Sequence, residues 1–374
     1  MRKHYLDNIR WMTVVAVVIY HIFYMYNGQG IPGVAGKITD LDVQYYDVIQ
    51  YIIYPWIMIL LFMVSGISSR LYLEKHTGKE FIRSRTTKLL VPCTVGLVAF
   101  QFIQGYVNAS LSSAFSSNQG APLFVKVIIC ILSGIGVLWY IQMLWLFSQA
   151  LALIHKIDKD RLWKLCGRLG GKFGIVIIIA LAAAVWAAGQ IFNTPLIVCY
   201  RFGLYFFVFL LGYFVFSHDE VVEVLKRWFF VLAAVSAILC VVFCVVFFGY
   251  NYADNPVYKS PFFLLYGYFA SLAIIGGMAR FGDVSNRFTE WMSKRSYGLY
   301  IFHYLGISSV ALFLARPGIV PPVAAYLLSA VAGFGGAYIL KAIISRIPFW
   351  RWAVLGISKK TVKKETKEVR NVQG

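Results

Sequence analysis

Apolar stretches long enough to cross a bilayer recur along nearly the whole chain, near residues 9–26, 45–66, 89–107, 123–154, 173–190, 196–216, 229–249, 261–279, 297–315 and 321–345. A hydrocarbon core about 30 Å thick takes roughly 20 helical residues, and only helices or closed barrels satisfy every backbone group inside it. These stretches are continuous rather than alternating, so they predict helices. The fourth exceeds one span and is interrupted by Ser133-Gly134-Ile135-Gly136, which predicts a short interfacial piece followed by a full helix. With 60% hydrophobic and 14% charged residues, the chain is expected to be an all-α polytopic membrane protein of about ten transmembrane helices.

Basic residues border these stretches asymmetrically. With Arg2 and Lys3 placed inside, the same side receives Arg70, Lys75, Lys79, Arg83, Arg85 and Lys88, then Lys156, Lys159, Arg161, Lys164, Arg168 and Lys172, and later Lys226, Arg227, Arg280, Arg287, Lys294 and Arg295. The other side holds little besides Lys37, Lys259 and Arg316. Retention of cations in short cytoplasmic loops then predicts an even number of spans with both termini cytoplasmic; the inner or cytoplasmic membrane of the cell is the expected location. The net charge of +19 is therefore a topology signal. The lipid bilayer is an expected partner and nucleic acid is not.

Residues 1–346 read as one transmembrane domain and 347–374 as a basic, partly disordered cytoplasmic tail. Its Lys359, Lys360, Lys363, Lys364, Lys367 and Arg370 suit solvent or anionic lipid. Met1-Arg2-Lys3 before an apolar run imitates a secretory signal, but the run is long and lacks a small-x-small cleavage site, so it reads as an uncleaved first span. The longest hydrophilic stretches reach about twenty residues, so an active site has to be built from helices and short loops. Six scattered cysteines, without a CxxC or a His/Cys ligand spacing, read as packing residues, and no metal site is expected.

Against this background, ionisable groups inside the apolar stretches are the functional candidates. His21 lies midway along the first, and Arg10 precedes it by eleven residues, which at about 100° each places both on nearly one helix face roughly 16 Å apart. Asp7 stands three residues before Arg10, a spacing that permits an ion pair. After the second stretch comes Arg83-Ser84-Arg85-Thr86-Thr87-Lys88 leading into Pro92, a basic turn suited to polyphosphate. In the ninth, Ser296, Tyr300 and His303 fall on one helix side beside Tyr297. Ser65-Gly66 closes the second stretch and Trp139-Tyr140 sits in the fourth.

Together these segments resemble the acyltransferase 3 family of integral membrane O-acyltransferases, over roughly residues 5–345. The family opens with Leu-Asp-x-x-Arg followed by a first-helix histidine; Leu6, Asp7, Arg10 and His21 match it. Its Ser-Gly resembles Ser65-Gly66, its Trp-Tyr element matches Trp139-Tyr140, and its phenylalanine-rich helix closing in Gly-Tyr is similar to Phe206 through Gly212-Tyr213. Its closing Ser-Tyr-x-x-Tyr-x-x-His looks like Ser296, Tyr297, Tyr300 and His303. One departure concerns the basic loop, which in the family reads Arg-x-x-Arg before a proline and here Arg85-x-x-Lys88. Lysine keeps the charge and loses the bidentate fork, so Arg83 is the candidate second guanidinium.

The resemblance implies an acyl-CoA co-substrate on the cytoplasmic side, no bound cofactor, and an acceptor hydroxyl on a glycan or lipid-linked sugar at the outer side. The acyl group it implies is a short one such as acetyl or succinyl. On this reading Arg10, Arg83, Arg85 and Lys88 hold the donor's phosphates or orient the thioester, and His21 acts as general base or carries the acyl group. His303 supports the donor channel. Coenzyme A phosphates suit the basic face, and loops 27–44 and 108–122, with few charges and several polar groups, suit carbohydrate. The competing expectation is a proton-coupled secondary transporter, which also uses many helices and buried histidines. Little intramembrane Asp or Glu and the lack of a visible internal repeat count against it. A serine hydrolase reading fails to pair Ser65 or Ser133 with a base at a defined spacing.

Overall fold

The computed structural model describes residues 3–29, 33–112, 114–194, 199–314 and 320–357. The chain runs through α1 (His4–Met25), α2 (Val48–Leu73), α3 (Gly78–Leu111), α4 (Leu123–Ser133), α5 (Trp139–Asp158), α6 (Arg161–Phe173) and α7 (Ile175–Ala188). It continues through α8 (Phe202–Phe214), α9 (Asp219–Arg227), α10 (Phe229–Phe247), α11 (Pro261–Phe281), α12 (Arg287–Leu314), α13 (Pro322–Arg346) and α14 (Pro348–Leu355). Wider π-helical turns interrupt α3 at Thr86–Leu90 and Leu97–Gln101, and α13 at Ala332–Gly336. Among the described residues there is one isolated antiparallel bridge, Asn193 to Arg201, and no longer strand.

Eight of these helices are long and apolar enough to cross a membrane, or nine if α8 and α9, bent by 105° at their junction, form one span. The expectation of about ten differs for a physical reason. Stretches 173–190 and 196–216 fold as helices of only 14 and 13 residues, roughly 20 Å at 1.5 Å per residue. Stretch 123–154 breaks as its glycines predicted, giving an 11-residue α4 and a 20-residue α5. Gly136 in the break has φ +36°, and Gly134 lets α3 approach so closely that an added Cβ would lie 2.5 Å from the Gln101 carbonyl oxygen.

Helix α2 is the centre of the bundle, buried almost continuously from Ile57 to Ile67. It meets α8 through a reciprocal glycine contact. A Cβ on Gly66 would lie 2.0 Å from the Phe209 carbonyl oxygen, and one on Gly212 would lie 2.0 Å from that of Met63. Small residues allow this backbone approach, which packing in a bilayer rewards because lipid tails are as apolar as leucine. Helix α1 lies in a groove between α2, α11 and α12.

Polar contacts gather the basic segments at one end. Lys3 Nζ donates to Asp219 at 2.5 Å, the Tyr5 amide to Asp283 at 2.9 Å, and Arg280 to the Lys226 carbonyl at 3.2 Å. Buried Arg70 donates to Asp160 at 2.5 Å and stacks 3.9 Å over Trp163, fixing α6 to the end of α2. His218 stacks 4.1 Å from the Trp163 ring, and burial lowers its pKa. At the opposite end the fully buried Asp47 carboxylate accepts from Gly28 N, Gln44 Nε2 and Gln50 Nε2 at 2.8, 2.8 and 3.0 Å, pinning the loop after α1.

The start of the segment read as a tail folds into α14, whose Ala353, Val354 and Leu355 are buried. The lysine-rich remainder from 358 lies outside the described residues. Replacing Gly212 by Val is expected to abolish recovery of monodisperse protein in detergent, an overpacking penalty of more than about 3 kcal/mol. Gly171→Ala, where an added Cβ meets nothing within 4 Å, should leave the melting temperature unchanged or slightly raised.

Candidate active site

A cavity of about 700 Å³ opens at the basic end between α1, α2, α3, α5, α12 and α13, with α14 as its lip. Five cations line it, Arg10, Arg85, Lys88, Lys294 and Lys341, and no Asp or Glu does so among the described residues. Its polar anchorage comes from one turn of α2. Arg10 donates to Asp7 at 2.7 Å and, with its other terminal nitrogen, to the Ser68 hydroxyl. Arg85 donates to the Ser69 hydroxyl at 3.0 Å and lies 5.0 Å over the Phe81 ring. Both serines in turn donate to carbonyls of their own helix, Ser68 to Val64 at 2.6 Å and Ser69 to Ser65 at 2.8 Å. Two guanidinium groups are thereby anchored in the wall of the cavity.

Lys88 reaches the same cavity from the first π-helical turn of α3, whose backbone is also fixed from across the site. Tyr297 donates its hydroxyl to the Lys88 carbonyl at 2.7 Å. Arg83, the sequence candidate for a second guanidinium, is exposed and lies outside the lining. Ser68, Ser69, Lys294 and Lys341 were not singled out by sequence. The serines had a signal, because Ser65-x-x-Ser68-Ser69 puts hydroxyls on adjoining faces of the helix facing the two arginines.

Inward, the lining becomes apolar, with Val14, Leu61, Ile141 and Leu144, and ends at Tyr140 and Tyr300, whose rings are 5.8 Å apart. Tyr140 and Ser65 share a hydrogen bond of 2.9 Å, and Tyr300 donates to the Val137 carbonyl in the break before α5. Ser296 lines the wall and donates to the Ser293 carbonyl at 3.1 Å. Trp139 packs behind, 5.8 Å from Tyr205 and 6.4 Å from Phe62, where it supports Tyr140 without reaching the cavity.

Behind Tyr300, 6.3 Å away, lies fully buried His303, and beyond it half-buried His21. Their facing nitrogens, His303 Nε2 and His21 Nδ1, are 3.1 Å apart. The surroundings fix the protons. His303 Nδ1 faces the Leu299 carbonyl at 3.0 Å and His21 Nδ1 faces the Val17 carbonyl at 2.9 Å, and a carbonyl can only accept. With one proton per ring, His21 Nδ1–H is shared between Val17 and the His303 Nε2 lone pair. The His21 Nε2 lone pair is left directed away from this pair. Tyr20, Tyr24 and Tyr304 surround the His21 ring at 5.0, 5.8 and 5.1 Å.

Apolar spans enclosing a cation-lined cavity, with a histidine pair behind its inner end, define a polytopic membrane protein. The family model described as an acyltransferase domain, acyltransferase 3, matches residues 3–342. The chain therefore belongs to the acyltransferase 3 family and is a membrane acyltransferase. No curated protein and no solved structure matches it. Acyl transfer takes the place of the transport reading.

The Ser65–Tyr140 bond offers a direct check of the inner wall. Ser65→Ala and Tyr140→Phe should each lower stability by about 1 kcal/mol, and the double variant by little more than either alone, read from thermal unfolding in detergent as a double-mutant cycle.

Proposed function

We propose that this enzyme takes an acyl group, acetyl or succinyl, from acyl-CoA at its basic, cytoplasmic end and transfers it to a hydroxyl of a glycan or lipid-linked sugar reached from the opposite side of the cell membrane. The observation that carries the reading is the five-cation cavity without a carboxylate in its lining among the described residues. Coenzyme A presents a diphosphate and a ribose 3′-phosphate at one end and a neutral pantetheine arm at the other. Arginine forks and lysine charges suit the first, and the apolar inner lining suits the second.

An extended arm passes the thioester between Tyr140 and Tyr300 to the histidine pair behind them. His21 is the general base. Its Nε2 lone pair takes the proton of the acceptor hydroxyl as the oxygen bonds to the acyl carbon; the carbon–sulfur bond breaks and the departing CoA sulfur takes up that proton. His303 is a positioning residue that holds the His21 tautomer through Nδ1–H.

Membranes containing the protein, incubated with radiolabelled acetyl-CoA or succinyl-CoA, are expected to pass label into a glycan or glycolipid fraction with stoichiometric thiol release. His21→Ala should lower the rate by about 10²–10⁴-fold at unchanged protein level. Transfer that survives the loss of His21, or no transfer with either donor, would sink this mechanism.

A further inference from the structure

Lys294 and Lys341 belong to none of the motifs that mark the family resemblance, and yet they form one wall of the cavity. Lys341 Nζ donates to the Lys294 carbonyl at 2.5 Å, which ties the end of α13 to the first turns of α12. The contact depends on Gly298. A Cβ built there would lie 2.6, 2.7 and 3.1 Å from Cδ, Cγ and Cβ of Lys341, so the lysine stem lies directly on the bare glycine backbone. Gly298 thus has a side-chain role that its place in Ser296-Tyr297-Gly298 did not reveal: it gives the Lys341 ammonium a fixed route into the cavity.

The cations are ordered by depth. Arg10 and Arg85 are bound to Ser68 and Ser69, one turn from the Ser65–Tyr140 contact at the inner end. Lys88 and Lys294 are exposed, and Lys341 is half-buried beside Lys294. Coenzyme A has an order of its own: outward from the sulfur come the pantetheine arm, the diphosphate, and finally the ribose with its 3′-phosphate. With the thioester past the inner end, at the histidine pair, the two arginines meet the diphosphate and the outer lysines meet the last phosphate.

We infer that Lys294 and Lys341 form a subsite for the ribose 3′-phosphate of the donor, assembled over Gly298. The inference rests on acyl-CoA being the donor. Lysine suits this position, because a terminal phosphate monoester is met by point charges from several directions and needs no planar fork.

Titration calorimetry of the purified protein with free CoA and with 3′-dephospho-CoA tests it without knowledge of the acyl group. The wild type should bind CoA about tenfold more tightly than 3′-dephospho-CoA. Lys341→Gln and Lys294→Gln should each remove most of that preference by weakening CoA alone, with 3′-dephospho-CoA affinity unchanged. Gly298→Ala should do the same by displacing the Lys341 stem, and Lys341→Arg should restore the preference. Equal weakening of both ligands by the glutamine variants, or an intact preference, would overturn the subsite. A wild type that binds neither ligand would instead overturn the acyl-CoA reading, and the subsite with it.

Discussion

One turn of α2, from Val64 to Ser69, does two jobs whose requirements conflict, and the rest of the structure is arranged around it. On one face Gly66 is pressed against the backbone of α8, with no room for a Cβ. On the other, Ser65, Ser68 and Ser69 hold Tyr140, Arg10 and Arg85. A turn that must pack backbone to backbone cannot also carry large polar side chains, so the polar work falls to serine, which is small and can donate to its own helix while accepting from a partner. Both guanidinium groups are therefore bound to hydroxyls, and Arg10 to the Asp7 carboxylate as well. A hydroxyl anchors a charge without neutralising it.

The electrostatics of the cavity follow from that choice. Five cations around about 700 Å³ repel one another, and a low-dielectric surrounding strengthens the repulsion. The structure offsets it with Asp7 on Arg10, the Ser69 hydroxyl on Arg85, the Lys294 carbonyl on Lys341, and an opening toward solvent. A ligand with several phosphates relieves the same repulsion, so binding and local stability are linked: whatever occupies the cavity also stabilises the α1–α2–α12 contact.

Much of this was legible in the sequence, for identifiable reasons. The Arg10 to His21 spacing was readable because a helix converts residue number into angle. The stripe Ser296, Tyr300, His303 was readable in the same way, although it divides in space: Ser296 and Tyr300 line the cavity and His303 stands behind them. The pairing of His303 with His21 was not readable, since it joins residues 282 positions apart through the packing of α1 on α12. The choice between Arg83 and Arg85 was also hidden. Two residues on a helix differ by about 200°, so both cannot face one cavity, and only the docking of α3 against α2 and α5 selects Arg85. Lys294 carried a topology signal that masked its place in the cavity lining, and Lys341, inside the apolar stretch 321–345, was not singled out. The span count from hydropathy and the number of long helices part where apolar character outruns helix length, as in α7 and α8, because hydropathy reports burial in lipid or protein alike.

The break before α5 shows why such local irregularity belongs to the site. A continuous helix through 123–154 would have presented its carbonyls to its own amides. The break at Gly134 and Gly136 instead leaves the Val137 carbonyl to accept the Tyr300 hydroxyl, fixing the ring that closes the cavity in front of the histidines. Tyr140 begins the next helix one turn on, where Ser65 meets it. The two tyrosines that separate the cavity from His303 and His21 are thus both positioned by the interruption. Irregular backbone at membrane depth is tolerated where protein covers it, and here α3 covers it through Gly105 and Gly134, the same close approach that bends the chain toward the site.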